Sequence, residues 1–349
     1  MSILQPLLLR TFSLIVVFFV ILFLLIITLG ATGFSDRTLR SIVNEDLRGI
    51  RTGLAQTIRD PNQLESVMQE RRQDLESFYD LDKAWYVRLP DSLIRVITLD
   101  LGEARNMRAF EGSKKISRIV LERLPNTMIL LTTSFLITTV IGLAVGTYLS
   151  THPGSRLDRI ISYFAAISFA IPAWWLGIIL ILLFAIQFRI FPSGGMYSSP
   201  PPVDSLPRFF DLALHATLPV ITLVLVSLGP YIYIVRTMTI NIAQEDFVRT
   251  ARAKGLRERR VLIAHILRVA SPPIVTGLIL GLTGTLGGSI LIETVFDWQG
   301  MGRLYFETFA GTPDEGMIVA LTFVFTLMYI VARIILEIMY VLLDPRVRY

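Results

Sequence analysis

EDFVRTARAKGLRERRVLIAHILR, residues 245–268, is a charged segment between two stretches without charged residues, 212–235 and 269–292. Its pattern predicts a helix over 245–254, about three turns at 3.6 residues each, which Gly255 ends by adopting the left-handed conformation. Acidic residues open this helix and basic residues follow them, as the helix dipole favours. A charged, ordered hairpin between two apolar segments that are each long enough to cross a membrane is typical of a docking surface for another protein. The alternative is a solvated loop that binds lipid head groups.

The composition indicates a membrane protein with several spans. Hydrophobic residues make up 53% of the 349 residues and charged residues 17%, with a mean hydropathy of +0.60, which is unlike a soluble domain. A spanning helix needs about 20 apolar residues. The segments that satisfy this length are residues 11–35, 124–155, 160–188, 212–235, 269–292 and 316–343. We therefore predict an all-α membrane protein with six transmembrane helices.

The distribution of lysine and arginine predicts how the spans are oriented. With both termini in the cytoplasm, the basic segment 245–268 and the C-terminal arginines lie inside, and the short outer loops hold few basic residues, as the positive-inside rule requires. The net charge of +5 then reflects orientation and gives no reason to expect a nucleic-acid partner. The apolar run 11–30 exceeds a signal-peptide core, so we expect an uncleaved anchor.

Three parts of the chain are predicted. Residues 1–31 form an N-terminal transmembrane anchor, and residues 32–115 form an extracytoplasmic insert, because their 14 basic and 14 acidic residues cannot enter lipid. Apolar spacing in the insert predicts helices over 36–58 and 62–78. Residues 116–349 form a five-helix body that carries the charged hairpin. The insert either contacts a receptor protein or serves as a spacer.

The hairpin resembles a known motif. The run from Asp246 to Leu256 resembles the cytoplasmic EAA loop of ATP-binding-cassette (ABC) import permeases, in the sequence variant found in the dipeptide, oligopeptide and nickel branch. Arg249, Thr250 and Ala251 stand at its E-A-A positions, and the later I-x-L-P ending is absent. Further matches to that branch are Leu81-Asp82-Lys83, Asp100-Leu101-Gly102, Arg123-Leu124-Pro125-Asn126-Thr127, residues 168–177, Glu293-Thr294-Val295-Phe296, residues 300–304 and Leu343-Asp344-Pro345-Arg346.

The resemblance implies a role for each residue of this loop. In the family, the loop forms a coupling helix that sits in a cleft of an ATPase subunit. The implied ATPase-coupling residues here are Asp246, Phe247, Val248, Arg249, Thr250, Ala251, Arg252, Ala253, Lys254, Gly255 and Leu256. Among them, Phe247, Val248 and Ala251 are expected to form an apolar stripe that enters a groove of the partner.

The resemblance also implies the function. It predicts a transport subunit of the type I ABC importer kind, half of a translocation pathway for di- or oligopeptides in a prokaryotic cell membrane. The implied partners are a homologous sister permease, two ATPase subunits and an extracytoplasmic solute-binding protein. ATP and Mg²⁺ are expected on the ATPases and no cofactor on this chain, which lacks the phosphate loop G-x-x-x-x-G-K-[ST].

Alternatives of two kinds remain open. Oligosaccharides or nickel replace peptides as solutes in some members of the family. A different class, an ion-coupled secondary transporter, predicts inverted repeats and buried titratable residues, of which the sequence offers Arg333 and Glu337 on the sixth span. These two stand one turn apart and are expected to neutralise each other. Catalytic residues and metal ligands are not predicted, because the three histidines are far apart in sequence.

One glycine pattern stands out in the fifth span. Its glycines recur at a spacing that places them on one helix face, which lets another backbone approach closely. The approaching backbone belongs either to the same bundle or to the sister permease, and the face can also line the pathway. The residues are Gly277, Gly281, Gly284 and Gly288.

Prolines mark possible hinges. Pro172 falls within the third span, and Pro219 together with Pro230 is expected to bracket the fourth. The pair 272–273 is expected to open the fifth span, where the first helical turn tolerates proline. Pro172 and Pro219 are the predicted kink sites, with packing or gating as their role.

Overall fold

The computed structural model describes residues 4–90, 94, 98, 100, 102–104, 107–310 and 314–343, and of residues 4–8, 282–289 and 340–343 the backbone only. Regular structure in these residues is helical, apart from one antiparallel bridge between Glu103 and Lys115. The α-helices are α1 (Leu4–Ala31), α2 (Phe34–Leu54), α3 (Pro61–Phe78), α4 (Ile116–Thr151), α5 (Arg156–Ala170), α6 (Ala173–Leu180), α7 (Ser205–Ala243), α8 (Asp246–Ala253), α9 (Glu258–Arg260), α10 (Arg268–Val295), α11 (Met301–Ala310) and α12 (Glu315–Leu343). A 3-10 helix covers Trp85–Arg88, and π-helical segments cover Ile181–Gln187 and Val261–Leu267.

The predicted fold class, an all-α membrane protein, is confirmed. Five helices in the described residues are long and apolar enough to cross a bilayer, and one bent pair makes a sixth span if its arms count together. The bent pair is α5 with α6 and its π-helical extension, whose axes meet at 105°. The five are Leu9–Ala31, Ile116–Thr151, Ser205–Ala243, Glu258–Gly281 and Glu315–Met339.

Several prolines lie elsewhere than the sequence predicts. Pro219 and Pro230 do not bracket the fourth span but lie inside α7, a helix of 39 residues. Pro272 and Pro273 lie inside α10, because the helix of the fifth span already begins at Glu258. Neighbouring helices can satisfy the backbone groups that such prolines free. At 1.5 Å per residue α7 is about 58 Å long, well beyond the ~30 Å hydrocarbon layer.

The described chain forms two compact units. The first comprises Met1–Ser13, Leu121–Glu307 and Met328–Tyr349, and the second comprises Leu14–Val120 and Thr308–Leu327. In the first unit, α5 packs along α7, where a Cβ on Gly229 would lie 2.7 Å from the Ala165 Cα. The largest side chains of its main core include Leu130, Leu131, Leu218, Leu223, Ile292, Phe296 and Trp298.

The second unit contains the helices of the predicted insert. Helices α2 and α3 pack through Val43, Leu47 and Met68. Helix α3 begins at Pro61, and the Asp60 carboxylate caps it by accepting from the Asn62 N–H at 3.0 Å, an arrangement that suits both residue types. Helix α2 covers Phe34–Leu54 where the sequence predicts 36–58, because the chain turns after Leu54.

Candidate functional site

The charged hairpin continues directly from the end of α7. Helix α7 ends at Ala243, and the Glu245 N–H donates to the Ile242 carbonyl at 3.1 Å as the chain turns. Helix α8 then covers Asp246–Ala253, about two turns, which is shorter than the predicted three. Its start is later than predicted because Glu245 has extended backbone angles, φ −67° and ψ 147°, and acts as the N-cap.

Gly255 ends this part of the hairpin in the predicted left-handed conformation. Its φ is +74°, and its N–H donates to the Arg252 carbonyl at 2.9 Å. A Cβ at Gly255 would meet no atom within 4 Å, so the backbone conformation and not a lack of space favours glycine. Helical structure resumes at Glu258 and continues without interruption through α9 and the π-helical segment into α10.

The inner face of α8 belongs to the core of this chain. Val248 and Ala251 are 0% and 5% exposed and pack with Val261 and Ile266 of the π-helical segment. This corrects the predicted partner-facing stripe, because of its three residues Phe247 alone stays on the surface, at 43% exposure. The buried contacts attach α8 to the start of the fifth span.

The outer surface of the hairpin is basic. Arg252 closes the hairpin through a 2.6 Å ion pair with Glu258, and the hydrogen bond that Arg252 donates to Glu258 raises the pKa of the guanidinium. Of the predicted coupling residues, Val248, Ala251 and Leu256 are buried or half-buried, and the exposed ones are Asp246, Phe247, Arg249, Thr250, Arg252, Ala253, Lys254 and Gly255. The exposed basic residues beyond this group are Arg257, Arg259, Arg260 and Arg268. Such a surface suits an acidic or polar partner groove with a pocket for one aromatic ring.

An ion pair between a buried aspartate and a partly buried arginine joins the third span to the fourth. The Arg236 guanidinium of α7 donates to both carboxylate oxygens of Asp158 at the start of α5, at 2.5 and 2.7 Å. Asp158 is 4% exposed and also accepts from the Gly154 N–H at 2.9 Å. A bidentate arginine–carboxylate pair fixes orientation as well as distance. Arg236 lies two turns before Ala243, the end of α7, so this pair links α5 to the part of α7 that leads into the hairpin.

The predicted glycine face lies beside a cavity. Gly277 and Gly281 of α10 line a space of about 190 Å³ bounded also by α4 and α7. A Cβ would lie 3.4 Å from Ile234 at Gly277 and would meet nothing within 4 Å at Gly281. Gly284 and Gly288 belong to the same helix, and their contacts lie outside the described residues. The structure therefore places two of the four predicted glycines at one cavity.

Of the two predicted kink sites, one coincides with a sharp bend. Pro172 precedes α6 with φ −63° and ψ 133°, at the break where the two arms of the third span meet at 105°. A proline there cannot extend the preceding helix, which ends at Ala170. Pro219 lies within the uninterrupted α7. A hinge role for either proline stays a prediction.

Residues 138–349 match the family described as the binding-protein-dependent transport system inner membrane component, which is more than half of the chain. The chain belongs to this permease family. The oligopeptide transport system permease protein AppB of Bacillus subtilis is 30% identical to it over 280 residues, 80% of this chain and 85% of AppB. A putative peptide permease protein of Brucella suis is 34% identical over 242 residues, 68% of this chain and 72% of that protein.

A solved structure shows the same fold. A chain of the MetNI methionine ABC transporter, in an inward-facing conformation, superposes with a TM-score of 0.53 at 17% identity, covering 66% of the permease and 99% of that chain. The permease is thus a multi-pass membrane protein with the fold of an ABC importer subunit. Membership in the family implies ATPase and binding-protein partners.

A buried polar cluster of the permease was not predicted as a unit. Glu293, 0% exposed at the end of α10, accepts from the Thr127 hydroxyl at 2.7 Å and from the Arg303 N–H at 3.0 Å. The Thr127 hydroxyl also accepts from the Met301 N–H at 2.7 Å. Gly300 faces both side chains so closely that a Cβ would overlap them. The sequence signal was present in the matching runs 123–127, 293–296 and 300–304, which the fold brings together.

The intramembrane charges pair differently from the prediction. Glu337 of α12 accepts a hydrogen bond from Arg10 of α1 at 2.5 Å, and not from Arg333 one turn away. Arg10 and Glu337 both belong to the first unit, although they lie 327 residues apart in sequence. Sequence reasoning also missed the pairing of Asp158 with Arg236, since nothing local links residues 78 positions apart. The available signal was an opposite charge at the end of each of two neighbouring spans.

Proposed function

We propose that this permease forms half of the translocation pathway of an ABC importer for di- or oligopeptides and that separate ATPase subunits move it through the hairpin 245–268. A homologous sister permease supplies the other half, and an extracytoplasmic binding protein delivers the solute. ATP and Mg²⁺ bind to the ATPase subunits, which hydrolyse the ATP, and this chain catalyses no reaction. Oligosaccharides and nickel are the alternative solutes.

The main support for this proposal is that the hairpin has one buried face and one exposed face. Its inner face is anchored by Val248 and Ala251 in the chain's own core, and its outer face presents Phe247 among exposed basic residues. A force applied to that outer face is transmitted to α10, which continues from the hairpin, and to α5 through Arg236 and Asp158. A flexible lipid-binding loop needs none of these internal contacts.

The proposed topology has both termini in the cytoplasm. The ion pair between Arg10 and Glu337 supports it, since it brings the start of α1 and the last turns of α12 to one side. The relatives named as peptide permeases support the choice of peptides as solute.

Cysteine cross-linking tests the docking surface at single chosen positions, because this chain contains no native cysteine. We expect Phe247→Cys and Lys254→Cys to form cross-links with the ATPase subunit in the assembled transporter and to do so less in the presence of excess ATP. The matched control is Gln63→Cys, an exposed residue of the insert, which should give no ATPase cross-link. Cross-linking from residue 63 and not from 247 or 254 would overturn the assignment.

The same variants test the topology. A membrane-impermeant maleimide added to right-side-out vesicles should label the cysteine at residue 63 and should spare the one at 254 until detergent is added. Uptake of a radiolabelled tripeptide by the intact transporter in proteoliposomes, with ATP inside, tests the solute class. ATP-driven uptake of an oligosaccharide or Ni²⁺ and not of any peptide would replace the proposed solute while leaving the machinery intact.

A further inference from the structure

The cavity between α4, α7 and α10 is larger than close helix packing would leave. It has a volume of about 190 Å³, which exceeds the roughly 150 Å³ of an engineered cavity that binds benzene. Most of its lining is apolar, including Leu131, Phe135 and Leu278. Among the described residues that line it, none carries a charge.

Two buried hydroxyl groups at this cavity lack hydrogen-bond partners in the part of the chain that the structure describes. They are the Thr138 Oγ1 of α4 and the Tyr231 hydroxyl of α7, and each residue is 5% exposed. The neighbouring Ser134 differs, because its hydroxyl donates to the Leu130 carbonyl at 2.7 Å. Neither oxygen reaches the cavity surface in this conformation, so an occupant can bond to it only after the side chain turns. Because buried polar groups are nearly always paired, two unpaired hydroxyls on residues that line one cavity favour an occupant that can hydrogen-bond.

The glycines of α10 keep this space open. Among the described residues, no atom lies within 4 Å of the position of a Cβ on Gly281, so a larger side chain there would extend into the cavity. At Gly277 a Cβ would make ordinary van der Waals contact with Ile234, at 3.4 Å. The glycine face therefore borders a partly open cavity within one subunit.

We propose that this cavity is a solute subsite that holds one uncharged, apolar side chain of a transported peptide, with the adjoining backbone amide bonded to Thr138 and Tyr231. This inference rests on the proposed function and adds a preference to it. Each hydroxyl can donate to a peptide carbonyl or accept from a peptide N–H, whereas a lipid acyl chain offers neither group. A charged side chain is excluded, because the lining offers no counter-charge and burying an unpaired ion is costly.

The test compares two tripeptides in the intact transporter reconstituted with ATP inside, alanyl-phenylalanyl-alanine and alanyl-lysyl-alanine. Tyr231→Phe and Thr138→Val each remove one hydroxyl and should raise the KM for the phenylalanyl peptide about 2- to 10-fold, the range of one hydrogen bond. The matched controls are Tyr233→Phe, an exposed neighbour, and Thr139→Val, whose hydroxyl donates to the Phe135 carbonyl at 2.7 Å. The controls should leave this KM within about 2-fold, since neither hydroxyl faces the cavity by this account.

A filling variant gives a second, steric test. Gly281→Leu should lower uptake of the phenylalanyl peptide at least tenfold relative to an alanyl tripeptide, whereas Gly49→Leu, an exposed helical glycine of α2 with equally open surroundings, should leave the ratio unchanged. Protein yield and ATPase association, measured for each variant, show whether it folds. If Gly281→Leu fails to assemble, photo-cross-linking of native protein with a tripeptide bearing benzoylphenylalanine replaces it, and adducts on α4, α7 or α10 lining residues are expected.

The outcomes separate the two proposals. If the native transporter takes up peptides but all the variants behave like their controls, or if the adducts lie elsewhere, the cavity holds only water or lipid and the subsite is refuted. If the native transporter takes up no peptide of any kind, the proposed solute class itself has failed. Equal loss of phenylalanyl and lysyl peptides in Tyr231→Phe would also refute the subsite, because a general folding defect predicts that result.

Discussion

Replacing Asp158 with asparagine should destabilise the permease more than any exposed charge substitution. The Asp158 carboxylate is 4% exposed and receives two hydrogen bonds from Arg236, at 2.5 and 2.7 Å. The amide of the new side chain would keep an acceptor for the Gly154 N–H but would leave the Arg236 guanidinium, whose side chain is 22% exposed, without its counter-charge.

The magnitude follows from that burial. Removing one partner of a fully buried ion pair costs about 3–5 kcal/mol, and the partial exposure of Arg236 favours the lower end, so we expect about 3 kcal/mol. Each kcal/mol lowers the Tm of a domain of about 150–250 residues by roughly 2–4 °C, and we use this range for the permease. Asp158→Asn should therefore lower the Tm of the detergent-solubilised protein by about 6 to 12 °C.

Two further variants make the measurement decisive. Asp246→Asn is the matched control, because its pair with Arg249 is 3.5 Å long and Asp246 is 96% exposed; its Tm should stay within about 2 °C of the native value. The double variant Asp158→Asn with Arg236→Gln replaces the pair by a neutral hydrogen bond and should recover at least half of the loss. Thermal unfolding of Asp158→Asn that matches the control, or a double variant as unstable as the sum of both single ones, would refute this reasoning.

The remaining predictions concern the hairpin, the insert and the buried polar cluster. Gly255→Val should reduce ATP-driven uptake severalfold without loss of insertion, because a branched residue at φ +74° costs about 1–2 kcal/mol, whereas Gly255→Asn should retain most uptake; equal uptake by both in proteoliposomes would contradict it. Deleting residues 36–78 should leave ATPase co-purification unchanged, since the proposed topology puts the insert on the opposite membrane face, and lost co-purification in correctly inserted protein would count against that topology. Gly300→Ala should destabilise by about 1–3 kcal/mol through overlap with Glu293, measured as a lower Tm, while the exposed Gly49→Ala should be neutral or slightly stabilising.

The sequence predicted the spans and the hairpin because both depend on local patterns. Runs of apolar residues long enough to cross a bilayer determine the helices, and the left-handed backbone at Gly255, observed at φ +74°, follows from a glycine after a helical stretch. The proline positions were less predictable. Helices α7 and α10 continue through their prolines, since packing in a bundle overrides the local preference.

The sequence could not predict which side chains meet across the fold. Val248 and Phe247 are adjacent apolar residues, and the choice of Val248 for the core depends on where the later residues Val261 and Ile266 pack. The pairing of Glu337 with Arg10 instead of Arg333 likewise depends on the arrangement of distant helices. The cavity beside Gly277 and Gly281 requires three separate spans, so the glycine spacing alone could not distinguish it from ordinary helix packing.

Solute uptake against a gradient tests the central claim most directly. The permease and its sister subunit should be reconstituted with and without the ATPase subunits, and tripeptide accumulation should be measured with internal ATP or with an imposed proton or sodium gradient. The account predicts accumulation only when both the ATPase subunits and ATP are present. Accumulation driven by an ion gradient in vesicles that lack the ATPase subunits would contradict it.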